Sequence, residues 1–350
     1  MFGWIAWLLA ALIVVWLVDT FVLDRRRLKT LSALLKSGEV SAQNIESYLT
    51  QRMWSRLAMM AGAPLIIFLI FTAIRENKDL ALLLILGTLF AGLVALADRL
   101  LLRKLRLNVA EQLPTEALQA QAQTDNGLVE YAKSFFPVLA LVVVLRSFLF
   151  EPYQIPSGSM RPNLIVGDFL LVNKFSYGFR LPVVKTQLTD FGAPQPGDIM
   201  VFTPPHQTYQ NYIKRVVGVG GDRIQYDYRT KELRVNGELV PRRYLDTYVE
   251  NGRRIARYIE TLGGKEYEIY QIQNMSTPNL MPLDVIVPDG HFFVVGDNRD
   301  DSLDSRFWQQ QYGTSPFVER REVQGKAVVR WMYWPSLLSL PSFSRAGSLN

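Results

Sequence analysis

Cysteine is absent from this chain, and histidine occurs only twice, at His206 and His291. The first absence excludes disulfides, a thiol nucleophile and a cysteine zinc site, and so few histidines exclude a His-rich metal centre. No cofactor is expected, and any hydrolytic base must come from a short list. Basic stretches interleaved with aromatic residues are lacking too, which argues against a nucleic-acid partner. What is abundant is apolar: 49% of the 350 residues are hydrophobic, more than an ordinary soluble core requires. The excess lies in the first 150 residues, and the net charge of +6 clusters beside the apolar runs, as membrane orientation demands.

Residues 1–23 read as a transmembrane anchor, apolar from position 2 apart from Asp19 and Thr20, and followed by Arg25, Arg26, Arg27 and Lys29. A cleaved signal peptide would carry its positive charge before the apolar run and a small-x-small site after it. Residues 24–56 are polar and are expected to form a helical cytoplasmic loop. Apolar runs at Leu57–Ile74 and Leu80–Ala97 are separated by five residues whose charges cancel, which predicts a transmembrane hairpin over 57–97. A buried soluble hairpin is the alternative for runs so close to the minimum spanning length. Residues 98–134 begin with Arg99, Arg103, Lys104 and Arg106 and read as a cytoplasmic connector. The last run, residues 135–150, carries Arg146 where its side chain would snorkel to headgroups. Four crossings place residues 151–350 outside the cytoplasm.

That final stretch is rich in strand signals: Phe169–Val172, Asp198–Phe202, Tyr212–Val217, His291–Val295 and Lys326–Trp334. Asn236-Gly237 between two short apolar segments predicts a hairpin. Residues 241–282 show no such regularity and are expected to be an irregular excursion.

Two hydroxyls, Ser157 and Ser159, sit in the turn-prone stretch Ile155–Leu164, where Pro156 fixes a dihedral, Gly158 permits unusual ones and Pro162 stops a helix. The same composition is common in plain surface turns. A serine nucleophile needs a base. His206 lies in a loop composition and His291 opens an apolar strand, so both read as structural. Lys214 lies within an apolar strand next to Arg215, and alternation places the two on opposite faces, so that one of them points inward. A lysine free in water, with a pKa of about 10.4, is protonated and no base, whereas burial lowers that value. An edge-strand lysine that discourages aggregation is the alternative reading. Gly296–Arg306 follows a strand and alternates acids with arginines. It lacks the glycine and terminal glutamate of a calcium loop and reads as a rigid loop presenting Ser302 or Ser305.

Taken in order, apolar runs, Pro156-Ser-Gly-Ser-Met-x-Pro162, Lys214-Arg-Val-Val-Gly218 and Gly296-Asp-Asn-Arg-Asp-x-Ser-x-Asp-Ser-Arg306 resemble the bacterial type I signal peptidases, also called leader peptidases. The resemblance runs from about Phe135 to Trp334 and includes Phe135-Phe-Pro-Val-Leu-Ala140 and Pro196-Gly-Asp-Ile-Met-Val-Phe202. It implies a membrane-anchored, mainly-β protein, with N-terminal transmembrane helices and an antiparallel β-sheet catalytic domain on the periplasmic face of the bacterial inner membrane. The implied activity is removal of signal peptides from exported preproteins at Ala-x-Ala-type sites by a Ser-Lys dyad. The partners would be preprotein signal peptides, the lipid bilayer and the protein-export translocon. Ser159 would be the nucleophile and Lys214 the base, with Ser157 and the Ser159 amide as the oxyanion hole. Ser302 would orient the lysine, and Asp297, Arg299, Asp304 and Arg306 would hold the loop. Tyr153, Ile155, Pro156, Met160, Leu164, Tyr212 and Ile213 would line the substrate pocket.

Some features depart from the family. Gly218-Val-Gly-Gly-Asp222 lacks the usual proline before its last Gly-Asp, Asn163 replaces a common threonine, and two-span relatives lack the hairpin at 57–97. Two other identities share part of the pattern. A Ser-Lys self-cleaving repressor would be soluble, and a four-span transporter would carry polar residues within its spans. An inactive module that binds signal sequences or scaffolds an export complex remains open at the level of sequence.

Overall fold

The computed structural model describes residues 3–349 apart from positions 40, 42, 49, 52, 55, 56, 58–79, 179–188, 190, 208, 209, 276–279, 337 and 338. The chain divides into two compact units, Met1–Val144 and Leu145–Asn350.

The first unit is helical. Helix Gly3–Val18 runs through a π-helical turn, Asp19–Leu23, into Asp24–Ser37, which ends on Gly38 in the left-handed conformation that glycine adopts without penalty. Helices Leu80–Leu101, Arg103–Ala110, Glu116–Gln123 and Gly127–Val144 follow. Apolar side chains of the longest three meet in a cluster of Ala91, Val94, Leu128, Val129 and Ala132 with Trp16, Leu17 and Phe21. The segments Leu82–Leu101 and Gly127–Leu149 are long and apolar enough to cross a membrane. The first leg of the expected hairpin, beyond Leu57, lies outside the described residues.

The helix expected from Phe135 begins at Gly127 instead. The Asn126 side chain caps it by accepting from Leu128 N at 3.3 Å, and Leu128, Val129 and Ala132 bury their side chains in the cluster. Its continuation stops at Leu149, because Phe150 already pairs with Asn173 as the first residue of a strand.

Among the described residues the second unit has fifteen strands, which fall in three antiparallel sheets. In chain order they are β1 Phe150–Gln154, β2 Asp168–Asn173, β3 Ile199–Phe202, β4 Tyr212–Val219, β5 Arg223–Tyr226, β6 Leu233–Val235, β7 Glu238–Leu239, β8 Arg242–Glu250, β9 Arg253–Leu262, β10 Lys265–Ile272, β11 Leu283–Ile286, β12 His291–Val295, β13 Val318–Glu319, β14 Val323–Tyr333 and β15 Gly347–Ser348. The largest sheet has the order β1-β2-β14-β3-β4-β12-β13, with β15 on β14. A second sheet has the order β11-β5-β6-β7, and its β6–β7 hairpin turns at Asn236 and Gly237, both at positive φ. β4 is buried on both faces, which its run of Val and Ile residues permits.

The third sheet, β10-β9-β8, occupies the stretch expected to be irregular. Its alternation is carried by charged and aromatic cross-strand pairs rather than by apolar residues: Asp246 faces Arg257 at 2.6 Å, and Tyr244 meets Tyr258 edge-on. A pattern read by hydrophobicity alone passes over such strands.

Arg299, in the loop after β12, forms a buried ion pair with Glu260 of β9, and Glu260 also accepts from Tyr267 Oη at 2.6 Å. Removing one partner leaves the other charge buried and unpaired, so Glu260→Ala is expected to destabilise the protein by about 3–5 kcal/mol. The double variant Glu260→Leu, Arg299→Met should lose much less; urea denaturation checks both.

Candidate active site

The serine stretch is a loop closed at its neck. Ile155 N donates to Asp168 O at 2.8 Å, Gly167 N donates to Ile155 O at 3.0 Å, and the Asp168 carboxylate accepts from Ile165 N. Met160 and Leu164 are fully buried in a cluster with Ile155, Leu170, Val172, Ile199 and Val201. Their burial anchors the loop to the sheet and leaves Ser157 exposed and Ser159 only 8% exposed.

β4 supplies the lysine. Lys214 Nζ lies 2.5 Å from Ser159 Oγ, and Ser157 Oγ is 3.4 Å from the same oxygen. Lys214 is 4% exposed, and burial, which penalises the ammonium form, pushes it down to about 8, against the upward pull of Asp304 and Asp297.

Lys214 and Arg215 lie on opposite faces of β4, as alternation requires, and both are buried, because β4 is covered on both faces. Burial of Arg215 is made possible by full satisfaction. It donates through Nε and a terminal nitrogen to both Asp297 oxygens at 2.8 Å and through the other to Gly197 O at 2.7 Å, and it lies 3.7 Å from the centre of the Tyr267 ring.

The Gly296–Arg306 loop frames the serine from the other side. Asp304 accepts from Gly296 N, Ser302 Oγ, and Arg306 Nε and a terminal nitrogen, at 2.7–2.9 Å. Burial alone would raise its carboxyl, but the Arg306 charge and these hydrogen bonds together hold it below the usual value. Asn298 N donates to Ser159 O and Asn298 Nδ2 to Gly158 O, each at 3.0 Å. Asn163 Nδ2 reaches Asp297 Oδ2 at 2.7 Å and Glu268 O at 2.8 Å.

The candidates named from sequence are therefore partly brought together. Ser157, Ser159 and Lys214 meet. Ser302 stands beside Gly296 with its hydroxyl donated to Asp304, and among the described hydrogen bonds none joins it to Lys214. Of the four loop-holding residues, Asp304 and Arg306 pair with each other, whereas Asp297 and Arg299 reach out to Arg215 and Glu260. Ser305 Oγ accepts from Val294 N and fastens the loop. Among the wall candidates Met160 and Leu164 are wholly buried, Tyr153 and Ile213 are half-buried against the same cluster, Pro156 is exposed, and Tyr212 packs with Phe202 while its ring centre lies 5.6 Å from Lys214 Nζ. His206 stacks on Tyr312 at 4.3 Å, and His291 contacts Asp289 O, so neither engages the serine.

Sequence reasoning missed Asn298, Asn163 and the part played by Gly296. A Cβ at Gly296 would press within 2.6 Å of Ser159 O and of Ser302 Cβ. The available signal was a glycine directly after a buried apolar strand, where backbones approach closely.

Residues 128–334 match the family model described as Signal peptidase, peptidase S26. Signal peptidase I of Pseudomonas aeruginosa is 43% identical over 281 residues, which cover 77% of this chain and 98% of that protein. The Pseudomonas fluorescens signal peptidase I is 45% identical over 283 residues, 77% of this chain and 99% of that protein. For Haemophilus influenzae signal peptidase I the figures are 35% over 263 residues, 62% and 73%. The matched span holds the serine loop, β4 and the Gly296–Arg306 loop, and with similarity of this extent the chain belongs to the signal peptidase family, peptidase S26.

Proposed function

We propose that this protein is a membrane-anchored serine endopeptidase that removes signal peptides from exported preproteins after small-x-small sites, with Ser159 as nucleophile and Lys214 as general base. The observation that carries this reading is the 2.5 Å approach of a fully enclosed lysine amine to a serine hydroxyl. The absence of a histidine from that contact leaves the amine as the group to take the proton.

In the forward step neutral Lys214 Nζ takes the Ser159 hydroxyl proton as Oγ bonds to the scissile carbonyl carbon. The carbonyl π pair moves to oxygen, where the Ser159 N–H and the Ser157 hydroxyl stabilise it. Collapse breaks the C–N bond, and the leaving amine departs with the proton held by Lys214. A water then gives a proton to Lys214 and its oxygen to the acyl carbon, and Ser159 leaves with that proton, which restores both groups. Asp304, through its bond from Ser302 and its charge, keeps the loop beside the lysine in one arrangement.

The substrate is read as an extended strand, whose backbone is recognised without regard to most side chains. Small residues at the first and third positions before the cut fit a wall of Tyr153, Ile155 and Ile213, with buried Met160 and Leu164 behind it. The two long apolar helices support residence in a membrane, and the basic residues flanking the apolar runs favour a periplasmic catalytic unit at the bacterial inner membrane. The bilayer and the export translocon are then its neighbours.

Cleavage of a preprotein with an Ala-x-Ala site by the detergent-solubilised chain is the test. Wild type should cut at that site, and Ser159→Ala and Lys214→Met should lose all activity above background; equal cutting by either variant would remove the dyad. Gly296→Ala should fold and yet lose about 100-fold in kcat/KM, the cost of moving a catalytic group by about 1 Å.

A further inference from the structure

The Gly158–Ser159 peptide is held from one side. Gly158 O accepts two hydrogen bonds, from Asn298 Nδ2 at 3.0 Å and from Arg161 N at 3.2 Å. The next carbonyl, Ser159 O, accepts from Asn298 N at 3.0 Å. One residue thus grips the carbonyl oxygens on both sides of the Ser159 Cα. Asn298 is itself 6% exposed and fixed, because its own carbonyl accepts from Asp301 N at 3.0 Å and it bridges to Tyr270 of β10.

A trans peptide is planar, and its C=O and N–H point in opposite directions. Anchoring Gly158 O therefore fixes where the Ser159 N–H points. Among the described residues no acceptor is recorded for that N–H, so it is a donor aimed by its own peptide plane and not used internally. Preorganised donors of this kind contribute most when they cannot reorient as charge develops.

We infer that Asn298 is a positioning residue for the oxyanion hole: by holding Gly158 O with its side-chain amide, it aims the Ser159 N–H at the developing oxyanion. The inference rests on the reading of Ser159 as nucleophile. Arg161 N alone would leave the plane freer to rock, since that bond lies within the same turn and moves with it. An aspartate at 298 has the same shape but presents an oxygen to the Gly158 carbonyl, which repels it.

The test uses the full chain in detergent with Asn298→Asp, Asn298→Ala and Asn298→Ser, a peptide substrate with an Ala-x-Ala site, and the peptide aldehyde of the same sequence. The aldehyde forms a hemiacetal with the serine and so carries the oxyanion, whereas KM for the peptide reports the groove. Loss of aim should lower kcat about tenfold or more and weaken the aldehyde by a similar factor, with KM within about twofold of wild type. Wild-type kcat and aldehyde affinity in a folded Asp variant would overturn the inference. So would a proportional weakening of aldehyde and substrate, which marks a distorted groove. Near-universal loss of melting transition in the Ala variant would shift the reading to the Asp and Ser variants, whose shape and polarity keep the loop's packing. Ser159→Ala in the same assay separates the two levels. If it still cleaves, the nucleophile reading fails; if it is dead while the Asn298 variants are normal, only the inference about Asn298 fails.

Discussion

A lysine amine enclosed away from water, with its nearest carboxylates already committed to arginines, is the constraint on which the rest of the catalytic unit depends. Burial penalises the ammonium form, and a free carboxylate alongside would undo that penalty. Both acids that act on Lys214, Asp304 and Asp297, are tied by bidentate pairs to Arg306 and Arg215. Buried ion pairs of this kind add little net stability, because desolvation offsets their attraction. What they contribute here is placement and local neutrality, and Arg299 with Glu260 extends the same device to β9.

One strand thereby serves two purposes. β4 offers Lys214 on one face to the serine and Arg215 on the other to Asp297, so the alternation of a pleated chain carries both the proposed base and the anchor of the loop that frames it. The serine loop is held independently, by the hydrogen-bonded neck at Ile155 and Asp168 and by Met160 and Leu164 in the core beneath. Asn298 and Asn163 then tie the two loops to each other, through the carbonyls beside Ser159 and through Asp297.

Much of this was legible in the sequence. Ser159 and Lys214, 55 positions apart, were singled out by a turn composition and a cation within an apolar strand, and the order of three motifs joined them. The pairing of Asp304 with Arg306 could be expected within one loop. The partners of Asp297 and Arg299 could not, since Arg215 and Glu260 lie on strands that only the fold brings near. The β8–β10 sheet escaped a hydrophobic reading because charge pairs carry its register, as at Asp246 and Arg257. The helix start at Gly127 escaped it as well, because its first two turns interleave Glu130, Lys133 and Ser134 with the buried Gly127, Leu128, Val129 and Ala132.

The most direct measurement is the titration of the Lys214 amine by NMR, with isotope-labelled lysine in the full chain in detergent micelles and Lys214→Met to assign the signal. Burial lowers the midpoint to about 8, so the amine is an ammonium well below that pH, half neutral at it and a competent base above it. The rate of serine acylation should rise through the same midpoint. A titration near the value of about 10.4 that a solvated lysine shows would contradict the account, because Lys214 would then stay charged at neutral pH and could not take the serine proton.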